Sequence, residues 1–341
     1  MLNLPGVRQT GFESGGFLFV ASAAAAIVLG VLISADPQGH GFALALGTIV
    51  AAMLAVATIR NPAFGGYVLV GAVPVISGLK RGLFVPGLRP SEVLIGGLAT
   101  LILVTAPVTA RRPWRTFDWL ALSYCFATLI LGSYDLLQRG VAFNGDIAGK
   151  LLGPFQFFLF YRAVIVALPS QKQLARAIIV LLALSLPVAL LAILQHFDLM
   201  SSRAFIRTAT GTTPSDLSKD PGFVIGNRAT GPFPAWHTLG GYLVVIVLVS
   251  VACLFEGFQN RRIKLASTIA LLLAVPALFA TGTAAPILGA AAGCLLLGLW
   301  LGRLKRAVVI VLTGTLLVAF LFAPLIEKRY GAQYTGQETV H

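Results

Sequence analysis

The chain has 341 residues, of which 57% are hydrophobic and only 11% charged, and its mean hydropathy is +0.89. A soluble domain carries about 25% charged residues, so the composition excludes an ordinary soluble domain and indicates an all-α, polytopic integral membrane protein. The net charge of +13 does not indicate nucleic acid as a partner, because the positive residues sit in short loops and no basic arm is present.

Runs of about 17–25 apolar residues are long enough to cross a bilayer. In chain order the candidate spans are 17–34, 42–59, 66–78, 91–109, 116–134, 149–168, 173–196, 234–256, 264–281, 284–301 and 306–326. The first is too long, and too weakly preceded by positive charge, for a signal peptide, and reads as the first anchor. The third can run on to 88, but Pro74, Lys80 and Arg81 break it, which suits a short, re-entrant or tilted segment. Pro187 and Pro276 lie mid-span and are expected to kink their helices. GAAAG (289–293) and GLWLG (298–302) repeat small residues at helical spacing, which favours close helix packing. Cys125, Cys253 and Cys294 lie in apolar runs without CxxC spacing, so they read as buried small hydrophobes, with no disulfide framework or metal site expected.

With a cytoplasmic N-terminus, the inside loops hold Arg60, then Arg111, Arg112 and Arg115, then Lys172 and Arg176, then Arg261, Arg262 and Lys264, then Arg303, Lys305 and Arg306. Asp36, Asp135, Asp146, Asp198, Asp216 and Asp220 then fall outside, in accord with the positive-inside rule; loop 79–90 is the exception. The expected architecture is one polytopic domain over 1–341 with about eleven transmembrane helices and a periplasmic C-terminus. Residues 197–233 form the main external loop, and 327–341 form a polar tail. Long loops in compact proteins are usually functional or disordered, so the external loop is the first place to look for chemistry.

Ionisable groups inside spans are costly and each needs a reason. Arg162, in FQFFLFYRAVIVAL, either faces an anion site within the bundle or snorkels toward the inner interface. Asp118 and Glu92 lie near span ends and read as interfacial, as does His196 at the end of the seventh span. His40 and His341 have no neighbours in sequence that suggest a role.

The stretch GNRATGPFPAWHTLGGYL (226–243) concentrates what remains. Pro232 and Pro234 rule out regular helix through 231–234 and give the next helix a sharp start near Ala235. Its first turn offers unpaired N–H groups at the positive dipole end, where an anion is favoured. Trp236 at a membrane–water boundary needs no special explanation. His237 falls on the first turn, with Arg228 just before it, and Arg203 and Arg207 can fold in from the same loop. Guanidinium groups suit bidentate phosphate binding, and a histidine of near-neutral pKa suits proton transfer to or from a hydroxyl. The chemistry implied is displacement at a pyrophosphate-linked centre. The competing reading is a set of basic residues lining an anionic membrane surface.

The pattern R-x-x-G-P-F-P-x-x-H-x-L-G-x-Y-L (228–243) resembles the segment that opens the span after the main periplasmic loop in O-antigen ligases and O-antigen polymerases. FATGTAAPILGAAAG (279–293) is similar to that family's Thr/Ser-Arg-Gly/Ala stretch, and the tail I-E-K-R-Y (326–330) resembles the entry into a further periplasmic loop. Where many members carry Ser-Arg, this chain has Thr283-Ala284-Ala285, and it stops within what would be the second external loop, as expected of a truncated or divergent form. The resemblance implies a metal-independent, cofactor-free transferase of the bacterial inner membrane, related to the C-type glycosyltransferase architecture. It implies an undecaprenyl-diphosphate-linked glycan as donor, a hydroxyl acceptor, contacts with membrane lipids and with polysaccharide-assembly proteins, and no nucleic acid. It assigns Arg228 to the donor diphosphate and His237 to a base or a structural cap, with Arg207, Arg203 and Arg329 as further contacts. The alternatives are a transporter or flippase and a non-catalytic subunit of polysaccharide export.

Overall fold

The computed structural model describes residues 40–79, 89–106, 113–141, 145–210, 228–256, 260–316 and 320. Among these, the regular elements are all helices: α1 (His40–Arg60), α2 (Pro62–Ile76), α3 (Pro90–Thr105), α4 (Thr116–Gln138), α5 (Gly145–Ala167), α6 (Gln171–Phe197), α7 (Ser202–Thr210), α8 (Trp236–Glu256), α9 (Arg261–Ala280), α10 (Ala284–Trp300) and α11 (304–316). Four of them, α4, α6, α8 and α9, are long and apolar enough to cross a membrane, and shorter apolar helices lie at α2, α3, α10 and within α1 and α5. The predicted span 17–34, residues 211–227 of the main loop, and the tail with Arg329 lie outside the described residues.

Helix ends follow local chemistry. Pro90 opens α3, and the Glu92 carboxylate accepts the Arg89 N–H at 2.9 Å, closing the first turn. Asp118 does the same in α4, accepting the Arg115 N–H at 2.6 Å. Pro74, Pro187 and Pro276 lie within helices that continue past them. The interrupted third segment therefore becomes α2, which starts before 66 and ends at Ile76. A larger difference falls in the expected loop 197–233. Its first part is a 3₁₀ turn (Leu199–Ser201) followed by α7, because SRAFIRTAT is amphipathic and can bury Ile206 while leaving Arg207 exposed.

The sequence carries no evident boundary, but contacts divide the chain into two compact units. The first comprises Met1–Val73 with Lys80–Gln173; within it α1 packs on α3, and α3 and α4 pack on α5. Much of α4 is an apolar surface without protein cover: Phe117, Leu120, Tyr124, Ile130 and Leu131 are all exposed. Exposed apolar surface on this scale fits lipid far better than water.

The second unit comprises Pro74–Leu79 with Leu174–His341 and is centred on α8. Leu239, Leu243, Ile246 and Val251 of α8 are fully buried against Ala270, Ala274 and Ala277 of α9, Ala290 and Cys294 of α10, and Val188 and Ala192 of α6. The cysteines Cys125, Cys253 and Cys294 are free and buried. In lipid, burial of apolar area no longer drives helices together, so close steric fit must do so. Helices α8 and α10 run parallel and meet where Gly240 faces Pro286; a Cβ at 240 would lie 2.7 Å from the Pro286 Cγ. Gly240→Val is therefore expected to separate these helices and destabilise the second unit by about 1–3 kcal/mol. Thermal unfolding of the detergent-solubilised chain measures this, and an unchanged midpoint would remove the contact from the packing scheme.

Candidate functional site

One end of the second unit gathers four helix termini: the C-termini of α6 and α9 and the N-termini of α8 and α10. The connection between them is built on residues 228–235. The Ala229 N–H donates to the Ala280 carbonyl at 2.9 Å, tying this segment to the end of α9. Gln195, near the end of α6, makes a second attachment. Its Oε1 accepts the N–H groups of Thr230 and Gly231, both at 2.8 Å, while its Nε2 donates to the Thr230 hydroxyl at 3.1 Å. Gln195 and Thr230 are both buried, so these bonds satisfy groups that water cannot reach. Pro232 and Pro234 then keep the chain out of helix until α8 begins at Trp236, next to the start expected from sequence.

Arg228 lies within this framework. Its guanidinium carbon sits over the Trp236 ring, 5.1 Å from the centroid, a cation–π geometry. Its side chain also runs along the 281–283 turn between α9 and α10. Gly282 has φ +62°, a conformation that favours glycine, and a Cβ there would lie 3.2 Å from the Arg228 Cγ, so the two are in close contact. Beside it, Thr281 donates its hydroxyl to the Leu278 carbonyl at 2.7 Å, and Thr283 stands at the N-cap of α10 in extended conformation. His237 is exposed on the first turn of α8, and its ring meets that of Trp236 edge to face at 6.3 Å. Tyr242, further along α8, stacks on Phe233 at 5.3 Å behind the turn.

The other sequence candidates are distributed differently. Arg203 does not face this site as a free cation. Its Nε donates to the Gln195 carbonyl at 3.0 Å and its Nη2 to the His196 carbonyl at 2.9 Å. It thereby caps the C-terminus of α6, where a cation also complements the helix dipole. Arg207, one turn further along α7, is exposed. Arg162 belongs to the first unit, where its Nη1 lies 3.2 Å from Asp118 Oδ1 and its guanidinium sits 5.1 Å from the Trp114 ring centroid. Both partners are buried, so Asp118 is a buried ion-pair partner as well as a cap. His196, expected at an interface, is buried with its ring edge-on to Phe197 at 5.1 Å.

Two residues that hold the site carry no site role in the sequence reading. Gln195 could have been found as an amide inside an otherwise apolar run, a placement that demands partners. Trp236 looked like an interfacial anchor, and its stacking with Arg228 depends on how 228–235 folds back. No protein family, characterised protein or solved structure matches this chain. What the arrangement can do chemically rests on its own geometry: a guanidinium, two parallel helix N-termini and an exposed imidazole at one end of an apolar helical unit.

Proposed function

We propose that the chain is a glycan transferase of the bacterial inner membrane, similar to O-antigen ligases and polymerases and working at the periplasmic face. The observation that carries this reading is the seating of Arg228 between Trp236 and the 281–283 turn, where α8 and α10 begin side by side. First-turn N–H groups and helix dipoles favour an anion at such ends, and a guanidinium adds charge-assisted, bidentate hydrogen bonding. A polyprenyl diphosphate is an anion of that kind that resides in a membrane. The Arg228 side chain leans over Gly282, close to the position where the resembled family carries an arginine and this chain has Thr283-Ala284-Ala285. That supports Arg228 as the group taking over the missing charge.

In the proposed reaction an acceptor hydroxyl attacks the anomeric carbon of the donor glycan. The bond from that carbon to the diphosphate oxygen breaks, and its electron pair leaves with the polyprenyl diphosphate. Arg228 and the helix N-termini compensate the charge developing on the leaving group. Exposed His237 accepts the hydroxyl proton. An intramembrane charge such as Arg162 would also suit a transporter, and that residue is engaged by Asp118.

The test is surface glycan length and attachment in a strain lacking the native gene, complemented with variants. Arg228→Ala is expected to reduce transfer about a hundredfold, and His237→Ala by about a hundredfold or more, with both proteins still present in the membrane. Wild-type glycan from both variants would sink the transferase reading.

A further inference from the structure

At the opposite end of α8 from Arg228, the second unit carries a groove of about 400 Å³ lined by Leu254, Phe255, Lys305, Arg306, Val309 and Ile310. The end of α8 and the start of α11 form its walls. Among the described residues its lining is apolar apart from the two cations. Lys305 and Arg306 are exposed, as is Val309, so the groove is open to the surroundings of the helical unit.

The position of this groove along α8 bears on its ligand. A helix of 21 residues is about 30 Å long, the thickness of a bilayer's hydrocarbon core. If one end of α8 lies at one membrane interface, the groove lies near the other. The cations also stand in the first turn of α11, where the helix dipole opposes positive charge. An anion beside them relieves that cost, and an apolar cleft next to the anion accommodates a hydrocarbon chain.

We propose that this groove is a binding site for an anionic phospholipid. Lys305 and Arg306 hold the phosphate, and Leu254, Val309 and Ile310 contact the upper part of one acyl chain. The pairing of a small basic cluster with an apolar cleft between helices is the chemistry that recognises such lipids. This proposal is independent of the reaction proposed above, since it uses none of its residues.

The experiment is native mass spectrometry of the full chain in detergent, titrated with phosphatidylglycerol or phosphatidylcholine. The wild-type chain should retain phosphatidylglycerol preferentially. Lys305→Gln with Arg306→Gln should weaken that binding about thirtyfold, at roughly fivefold per charge, and leave phosphatidylcholine binding unchanged. Lys305→Arg with Arg306→Lys should keep the preference. A control pair, Arg261→Gln with Arg262→Gln, removes two exposed cations outside the groove and should have little effect. An equal loss in the control pair would mean general surface attraction and overturn the site, as would unaltered binding in the Lys305/Arg306 glutamine variant. Glycerol 3-phosphate should not displace the lipid; efficient displacement would overturn the acyl-chain part of the assignment.

Discussion

Replacing Asp118 with alanine is expected to destabilise the α4–α5 pair by about 3–5 kcal/mol, the range for breaking a buried ion pair by removing one partner. The magnitude comes from what is left behind. Arg162 is buried, its Nη1 lies 3.2 Å from Asp118 Oδ1, and without that carboxylate its charge has no counter-ion at this contact. The same substitution removes the oxygen that accepts the Arg115 N–H at 2.6 Å and closes the first turn of α4. Trp114 supplies a cation–π contact to Arg162 and stacks against Trp119 at 4.8 Å, but it is neutral. The double variant Asp118→Leu with Arg162→Met should recover most of the loss, because it leaves no isolated buried charge. Thermal unfolding in detergent distinguishes the cases. If the alanine variant melts with the wild type, the pair is not what joins α4 and α5 at this end.

Gln195→Leu is expected to loosen the segment that carries Arg228. The substitution conserves side-chain size but strands the N–H groups of Thr230 and Gly231, both bonded to one amide oxygen at 2.8 Å. An orphaned buried donor costs about 1–3 kcal/mol, so the pair costs about 2–6 kcal/mol. Gln195→Glu retains an acceptor for both N–H groups and should be less harmful, although it buries a charge. Hydrogen exchange at Thr230 and Gly231 is the direct readout, with faster exchange expected in the leucine variant. Unchanged exchange there would show that the Ala229–Ala280 hydrogen bond alone holds the segment. On the transferase reading, glycan transfer should fall in the leucine variant even where the protein reaches the membrane at normal levels.

These two predictions concern contacts that sequence reasoning did not anticipate, and the reason is geometric. Arg203 and Arg162 were both plausible anion ligands by residue type. Their partners turned out to be the Gln195 and His196 carbonyls in one case and the Asp118 carboxylate in the other. A guanidinium advertises its preference for oxygen but not which oxygen it will reach. By sequence Trp236 is a boundary residue for the same reason, and only the path of 228–235 brings Arg228 over its ring.

The helical class, the apolar character of the segments and the start of α8 after Pro232 and Pro234 are legible in the chain alone. Each of these follows from interactions within a few residues: chain length against bilayer thickness, the missing proline N–H, and the side chains of a first turn. Helix packing, in contrast, sets the division of the chain into two compact units, the placing of α7 in part of the expected loop, and the contact of Arg228 with Gly282. It also sets the bond of Gln195 to Thr230, 35 positions away in sequence. Such contacts are non-local. A buried donor or cation must find a partner, but the packing of distant helices determines which partner comes within reach.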